Sequence, residues 1–264
     1  MRLTSAIFVI CSALAPTWAD AEDMTASVSV LPGWRTPHGT YMTGLQISLP
    51  EGWKTYWRAP GDAGIPPIFS WAGSENIASA AIQWPRPDVF DSGGLQTLGY
   101  HDGVVLPIEL SWSEDGPIRL AGSVEMGICK EICVPVMVDF DAVLTDGGPN
   151  PAIAAALMDR PTPAIKAGVG PVTCSATPVD KGLEVRATIP LADTGAPEIV
   201  VFEPGSPGIW VSTSTSERQG DLLIASAIMI PMPGQPLTLD RSALRLTVLG
   251  THQAIDILGC VAGG

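Results

Sequence analysis

Prolines and glycines fall so often along this chain that no long helix has room to form. Its 264 residues include 25 prolines and 28 glycines. Each proline removes a backbone donor, and each glycine loses conformational freedom on entering a helix. Between the breaks, apolar and polar residues alternate with a period of two. Ala26 to Leu31 (ASVSVL), Tyr41 to Leu49 (YMTGLQISL), Val104 to Trp112 (VVLPIELSW), Ile118 to Met126 (IRLAGSVEM) and Val134 to Leu144 (VPVMVDFDAVL) read as strands. Turn clusters such as Pro60-Gly61-Asp62 and Asp115-Gly116-Pro117 separate them. The pattern predicts an all-β sandwich over residues 22–145.

A break follows. Asp146-Gly147-Gly148-Pro149 reads as a loop, and Asn150 is placed to cap a short helix over Pro151 to Arg160 with proline at its first position. Pro161, Pro163, Gly168, Gly170 and Pro171 then read as a semi-rigid connector. Strand-like runs resume at Gly182 to Ile189, Glu198 to Phe202, Asp221 to Ile230 and Ala243 to Leu249. The expected organisation is two β-sandwiches joined by a linker at 146–165 that carries the helix, the second sandwich filling 166–264.

The first residues predict export. Arg2 precedes an apolar run from Ala6 to Ala15, too short to span a bilayer, and small residues follow at Ala19 and Ala21. We read residues 1–21 as a signal peptide and expect a periplasmic protein that does not span the membrane after cleavage. The net charge of -13 argues against a nucleic-acid partner, because phosphate backbones reward basic surfaces.

Cleavage would leave Cys129, Cys133, Cys174 and Cys260, an even number suited to an oxidising compartment. A Cys174–Cys260 bond would close a loop spanning most of the second sandwich, worth roughly 4 to 5 kcal/mol in the loop-entropy model. It reads as structural. Cys129 and Cys133 (GICKEICVP) are only three residues apart. On a helix their Cα atoms would lie about 6 Å apart on one face, and a tight turn at a strand end would also join them. So short a ring adds little stability, which favours a bond that opens and closes. Lys130 would favour a thiolate here, whereas Glu125 and Glu131 would oppose it. Two other readings stay open: a structural short-loop disulfide, and a Cu(I) site in which Met126 or Met137 joins Cys129 and Cys133.

Several ordered motifs carry a resemblance. GWKTYWRAPGDAGIPP (Gly52 to Pro67), IQWPRPDVF, GYHDGVVLPIEL and GICKEICVP together resemble the N-terminal periplasmic domain of the DsbD and ScsB thiol–disulfide interchange proteins, over roughly residues 25 to 145. The second half, with SCSATPV around Cys174 and the terminal Cys260, is similar to the second domain of ScsB-type members. The resemblance implies immunoglobulin-like sandwiches and a relay of electrons between a membrane-embedded thiol reductase and periplasmic thioredoxin-like proteins, with no cofactor. It places the catalytic pair at Cys133, the cysteine that meets the partner, and Cys129, its companion. It also implies a cap loop over the pair, falling on Asp91, Gly93, Gly94 and Leu95. Two features depart from the DsbD branch. That branch has five residues between its cysteines rather than three, and an aromatic cap residue that Asp91 to Leu95 lacks.

Other chemistry is poorly served. There is no G-x-S-x-G motif and no phosphate-cradling glycine loop. Trp53, Trp57, Trp71, Trp84 and Trp112 occur in strand contexts, which favours packing over sugar binding. Arg58 and Asp62, in WRAPGD, read as an ion pair holding a loop.

Overall fold

The computed structural model describes residues 25–92, 94–234 and 238–263. The expected signal peptide therefore lies outside the described residues, as does Gly93. In chain order the elements are β1 (Ser27–Arg35), β2 (Tyr41–Ser48), β3 (Lys54–Gly61), β4 (Ile68–Ser70), β5 (Ser79–Ile82), β6 (Asp88–Ser92) and β7 (Leu95–His101). There follow β8 (Gly103–Ser111), β9 (Ile118–Cys129), β10 (Cys133–Leu144), α1 (Pro151–Met158), β11 (Thr162–Pro163), β12 (Thr173–Val179) and β13 (Gly182–Pro190). The last are β14 (Ile199–Glu203), β15 (Ile209–Val211), β16 (Thr215–Gln219), β17 (Leu222–Pro231), β18 (Arg245–Leu249), β19 (Ala254–Leu258) and β20 (Val261–Ala262).

These strands build two sandwiches, and the described residues are all-β apart from α1. The first stacks the sheet β1-β2-β8-β5 on the sheet β10-β9-β3-β7-β6, with β4 pairing β9. Its core is fully buried at Leu45, Trp57, Leu106, Ile108, Leu120, Val124 and Ile128. The second stacks β11-β19-β18-β14 on β15-β17-β13-β12-β20, with β16 pairing β17. Alternation shows most cleanly where one strand face meets solvent. Along β10 the residues Cys133, Pro135, Met137, Asp139 and Asp141 are exposed, and those between them are more buried. Strand β9 lies between β10 and β3 and also pairs with β4, and its burial is continuous from Met126 to Cys129.

The connector is docked rather than free. The Asn150 side chain accepts hydrogen bonds from the backbone N–H groups of Ala152 and Ile153, capping α1. Ile153 is fully buried against the β2–β8 surface. Gly44 makes the space, since a Cβ there would lie 3.0 Å from the Ile153 side chain. The second sandwich also takes up chain earlier than residue 166, because Thr162 and Pro163 already pair in parallel with Ile255 and Asp256.

The two sandwiches share apolar and polar contacts. Leu249 and Ala254 are buried in one cluster with Ile47, Trp53, Trp57 and Met126. Arg58 forms a two-pronged ion pair with Glu203, at 2.9 and 3.0 Å, and its guanidinium stacks 4.0 Å from the Trp57 ring centroid. Asp62 instead bonds Thr213. The expected Arg58–Asp62 pair is thus replaced by two contacts across the junction. Residues 145 and 151 positions away offer geometry that the local segment does not.

Candidate functional site

Strands β9 and β10 form a hairpin whose register runs without a slip from Ile118 opposite Leu144 to Cys129 opposite Cys133. Lys130, Glu131 and Ile132 make the loop. The pair is therefore cross-strand and not helical, and its Cα separation is 4.1 Å. That matches the closer of the two antiparallel pairing types, in which facing side chains approach most nearly. The cysteines are joined as a disulfide.

The two sulfur-bearing residues differ in exposure. Cys129 is 2% exposed, whereas Cys133 is exposed. Strand position explains the contrast: β9 has neighbours on both sides, and β10 is at the sheet edge.

Cys129 and Gly127 point away from the intersheet core, on the face shared by Tyr56 of β3. The Tyr56 hydroxyl lies 2.9 Å from Cys129 Sγ and 3.4 Å from Cys133 Sγ. A disulfide sulfur carries no hydrogen, so the phenol is the donor. Burial pushes the Tyr56 phenol up from its ordinary value, which keeps it protonated and able to donate through neutral pH. Register places Lys54 directly between Cys129 and His101, in one row across β9, β3 and β7. The Lys54 ammonium turns away from the sulfurs toward the Phe90 ring, 4.7 Å from its centroid. Sequence reading missed Tyr56. It lies 73 residues before Cys129, and its one signal was the motif GWKTYWR.

Residues 26–145 match the family model described as the thiol:disulfide interchange protein DsbD, N-terminal. The first sandwich belongs to the DsbD N-terminal family. No curated protein matches the chain. Among solved structures, the N-terminal periplasmic domain of ScsB from Proteus mirabilis aligns with a TM-score of 0.65 at 21% identity. The alignment covers 90% of this chain and 92% of that one. At that identity the likeness is one of fold, and it extends over both sandwiches.

The stretch that the DsbD resemblance assigned to a cap is the β6–β7 turn, where Ser92 faces Leu95. Asp91 accepts a hydrogen bond from the Gly94 N–H at 3.4 Å, and Leu95 is exposed. His101 sits level with Cys129 through Lys54, so Leu95 lies six residues farther along β7, roughly 20 Å of extended strand. What presses on Tyr56 beside the disulfide is instead the β3–β4 segment at Gly64 and Ile65.

Met126 is not beside the sulfurs. Three residues before Cys129 on a regular strand, it faces the opposite way and is buried with Trp53 and Trp57. The Cu(I) set that includes Met126 is therefore not assembled. Met137 is exposed on β10, four residues beyond Cys133. Among the described residues no cluster of three or more His, Cys, Asp or Glu is placed to hold a metal, and no helix is long and apolar enough to cross a membrane.

Cys174 and Cys260 are joined by the second disulfide, across a Cα separation of 5.8 Å. Cys174 is fully buried in the core of its sandwich. Trp53 and Trp57 are buried, and Trp71 stacks on Phe69.

Proposed function

We propose that this protein is a periplasmic relay for thiol–disulfide exchange, in which Cys133 meets the partner and Cys129 is its companion. The asymmetry of the pair carries the reading: one exposed cysteine, one buried, and a protonated phenol beside both sulfurs. A thiolate of a dithiol partner attacks Cys133 Sγ. The Cys129–Cys133 bond breaks, and a mixed disulfide forms. Cys129 leaves as a thiolate, which the Tyr56 hydroxyl is placed to stabilise by a charge-assisted hydrogen bond before a proton arrives from solvent. The partner's second thiolate then attacks its own sulfur in the mixed disulfide and releases Cys133. The partner dithiol ends as a disulfide, and this protein has gained two electrons and ends as a dithiol. The reverse sequence passes those electrons to an oxidised partner. Membership of the DsbD N-terminal family supports a membrane-embedded reductase on one side and periplasmic thioredoxin-like proteins on the other.

Incubation of the oxidised protein with a reduced thioredoxin-like dithiol tests this. We expect stoichiometric, reversible reduction of Cys129–Cys133, abolished in Cys133→Ser. Incubated instead with an oxidised thioredoxin-like partner, Cys129→Ser should form a mixed disulfide as the Cys133 thiolate attacks the partner's disulfide and releases its other sulfur as a thiolate. Without Cys129 to expel the partner, this adduct should be identified by mass spectrometry. A pair that stays oxidised across the whole accessible range of donor potentials would overturn the reading.

A further inference from the structure

Strand β3 leads into a short segment, residues 62–67, that packs on the Tyr56 ring and on Gly127 of β9. A Cβ on Gly64 would lie 2.8 Å from Tyr56 Cδ1. A Cβ on Gly127 would lie 3.0 Å from Ile65 Cβ and 3.3 Å from Tyr56 Cε2. Gly64 and Ile65 thus close over the Tyr56 ring and over β9 two residues from Cys129. Glycine at 127 is what allows that approach.

The segment is anchored on two sides. Within its own sandwich the Asp62 N–H donates to the Gln96 carbonyl at 3.1 Å. Across the junction, the Asp62 carboxylate accepts from the Thr213 N–H at 2.9 Å and from the Thr213 hydroxyl through its other oxygen. Thr213 lies between β15 and β16 of the second sandwich. A cleft of about 640 Å³ adjoins the segment, lined by Pro60, Asp62 and Pro66 on one side and Phe202, Trp210 and Met232 on the other. A displaced segment has open volume beside it.

We propose that the Asp62–Thr213 contact is a latch through which the second sandwich decides which sulfur of the pair can be attacked. Asp62 and Thr213 touch neither sulfur. They are positioning residues, acting through Gly64, Ile65 and Tyr56. With the latch closed, an incoming nucleophile or electrophile reaches Cys133 and is kept from Cys129. With it open, both sulfurs are available and attack loses its preference. The inference rests on the exchange reading for its purpose, while its geometry stands independently of any partner.

The test uses the full chain with its Cys129–Cys133 bond reduced. Carbamidomethylation of Cys129 and Cys133 by iodoacetamide is followed separately by peptide mass spectrometry. Asp62→Ala should speed labelling of Cys129 at least fivefold and leave Cys133 within twofold. Asp62→Asn keeps an acceptor for the Thr213 N–H and offers the hydroxyl a donor, so it should stay within twofold of the parent at both sites. Thr213→Val removes the hydroxyl and leaves the backbone donor, and should raise Cys129 labelling about two- to threefold, which keeps the test alive if Asp62→Ala does not fold. An unchanged Cys129 rate in the folded variants would overturn the latch. So would an equal rise at both cysteines, the mark of general loosening, or failure of asparagine to restore the parent rate. Exchange with a thioredoxin-like donor does not enter this readout. An inert pair with an intact labelling preference would remove the proposed function and leave the latch.

Discussion

The two disulfides sit in opposite surroundings. Cys174–Cys260 ties residues 86 positions apart, with Cys174 fully buried in its core. Cys129–Cys133 ties residues four positions apart at a hairpin tip, with one partner exposed and a phenol alongside. The loop-entropy model assigns roughly 4 to 5 kcal/mol to the long closure and about 2 kcal/mol to the short one. The difference teaches that closing a long loop contributes stability that a short ring, on a ladder that already holds its strands, does not match.

The largest expected effect tests that division directly. Replacing Cys174 and Cys260 together by alanine should lower the unfolding free energy by roughly 4 kcal/mol, and replacing Cys129 and Cys133 together by no more than about 2 kcal/mol. Denaturant unfolding measures both. Equal losses would break the comparison. Next in size is Tyr56→Phe, which removes a hydrogen bond from a sulfur that becomes charged. Such bonds are worth about 1.5 to 3 kcal/mol, so reduction of Cys129–Cys133 by a dithiol should slow by about tenfold or more. Loss of Cys174–Cys260 should leave that rate nearly unchanged.

Acid sharpens the contrast from the other side. Glu198, in the second sandwich, is held at about 2, below its ordinary 4.5. Burial opposes this, but hydrogen bonds from Arg218 and from the hydroxyl and N–H of Thr194 outweigh it. A depressed carboxylate contributes stability that is full above about pH 4.5 and lost as pH falls toward 2. Glu198→Gln should therefore be less stable than the parent at pH 6, with the two converging as pH drops toward 2. Urea unfolding at pH 6 and pH 3 checks this, and parallel curves would contradict it. The smallest effect concerns the connector. Asn150→Ala removes the α1 cap and should cost about 1 kcal/mol. Because Ile153 docks on β2 and β8, the loss should appear in unfolding of the first sandwich, followed by fluorescence of Trp53 and Trp57.

Much of the fold was legible in the chain because its signal is local. Tyr41 to Leu49 became β2 (Tyr41–Ser48), and Gly182 to Ile189 became β13 (Gly182–Pro190), within a residue at each end. Alternation reports which face of a strand meets the core, and a few neighbouring residues suffice to show it. The strand over Ile118 to Met126 was read three residues short of β9, because burial on both faces erases alternation there. The site was legible only as a pair of cysteines. Tyr56, Ile65 and Thr213 reach its surroundings through strand order and the packing of two sandwiches, which no local pattern encodes. The Arg58–Asp62 expectation failed for the same reason. Proximity in sequence favoured a contact that the junction supplies from elsewhere.

The unbroken ladder of the β9–β10 hairpin sets a further condition on any exchange. When the Cys129–Cys133 bond opens, the strands that carry the sulfurs stay paired up to the tip. Each thiol then sees the other at an effective concentration fixed by the ladder and far above that of any diffusing partner. A mixed disulfide at Cys133 is therefore under constant attack from Cys129. Its lifetime is decided within the hairpin, so a partner must either complete its own second step quickly or be expelled with its sulfur returned.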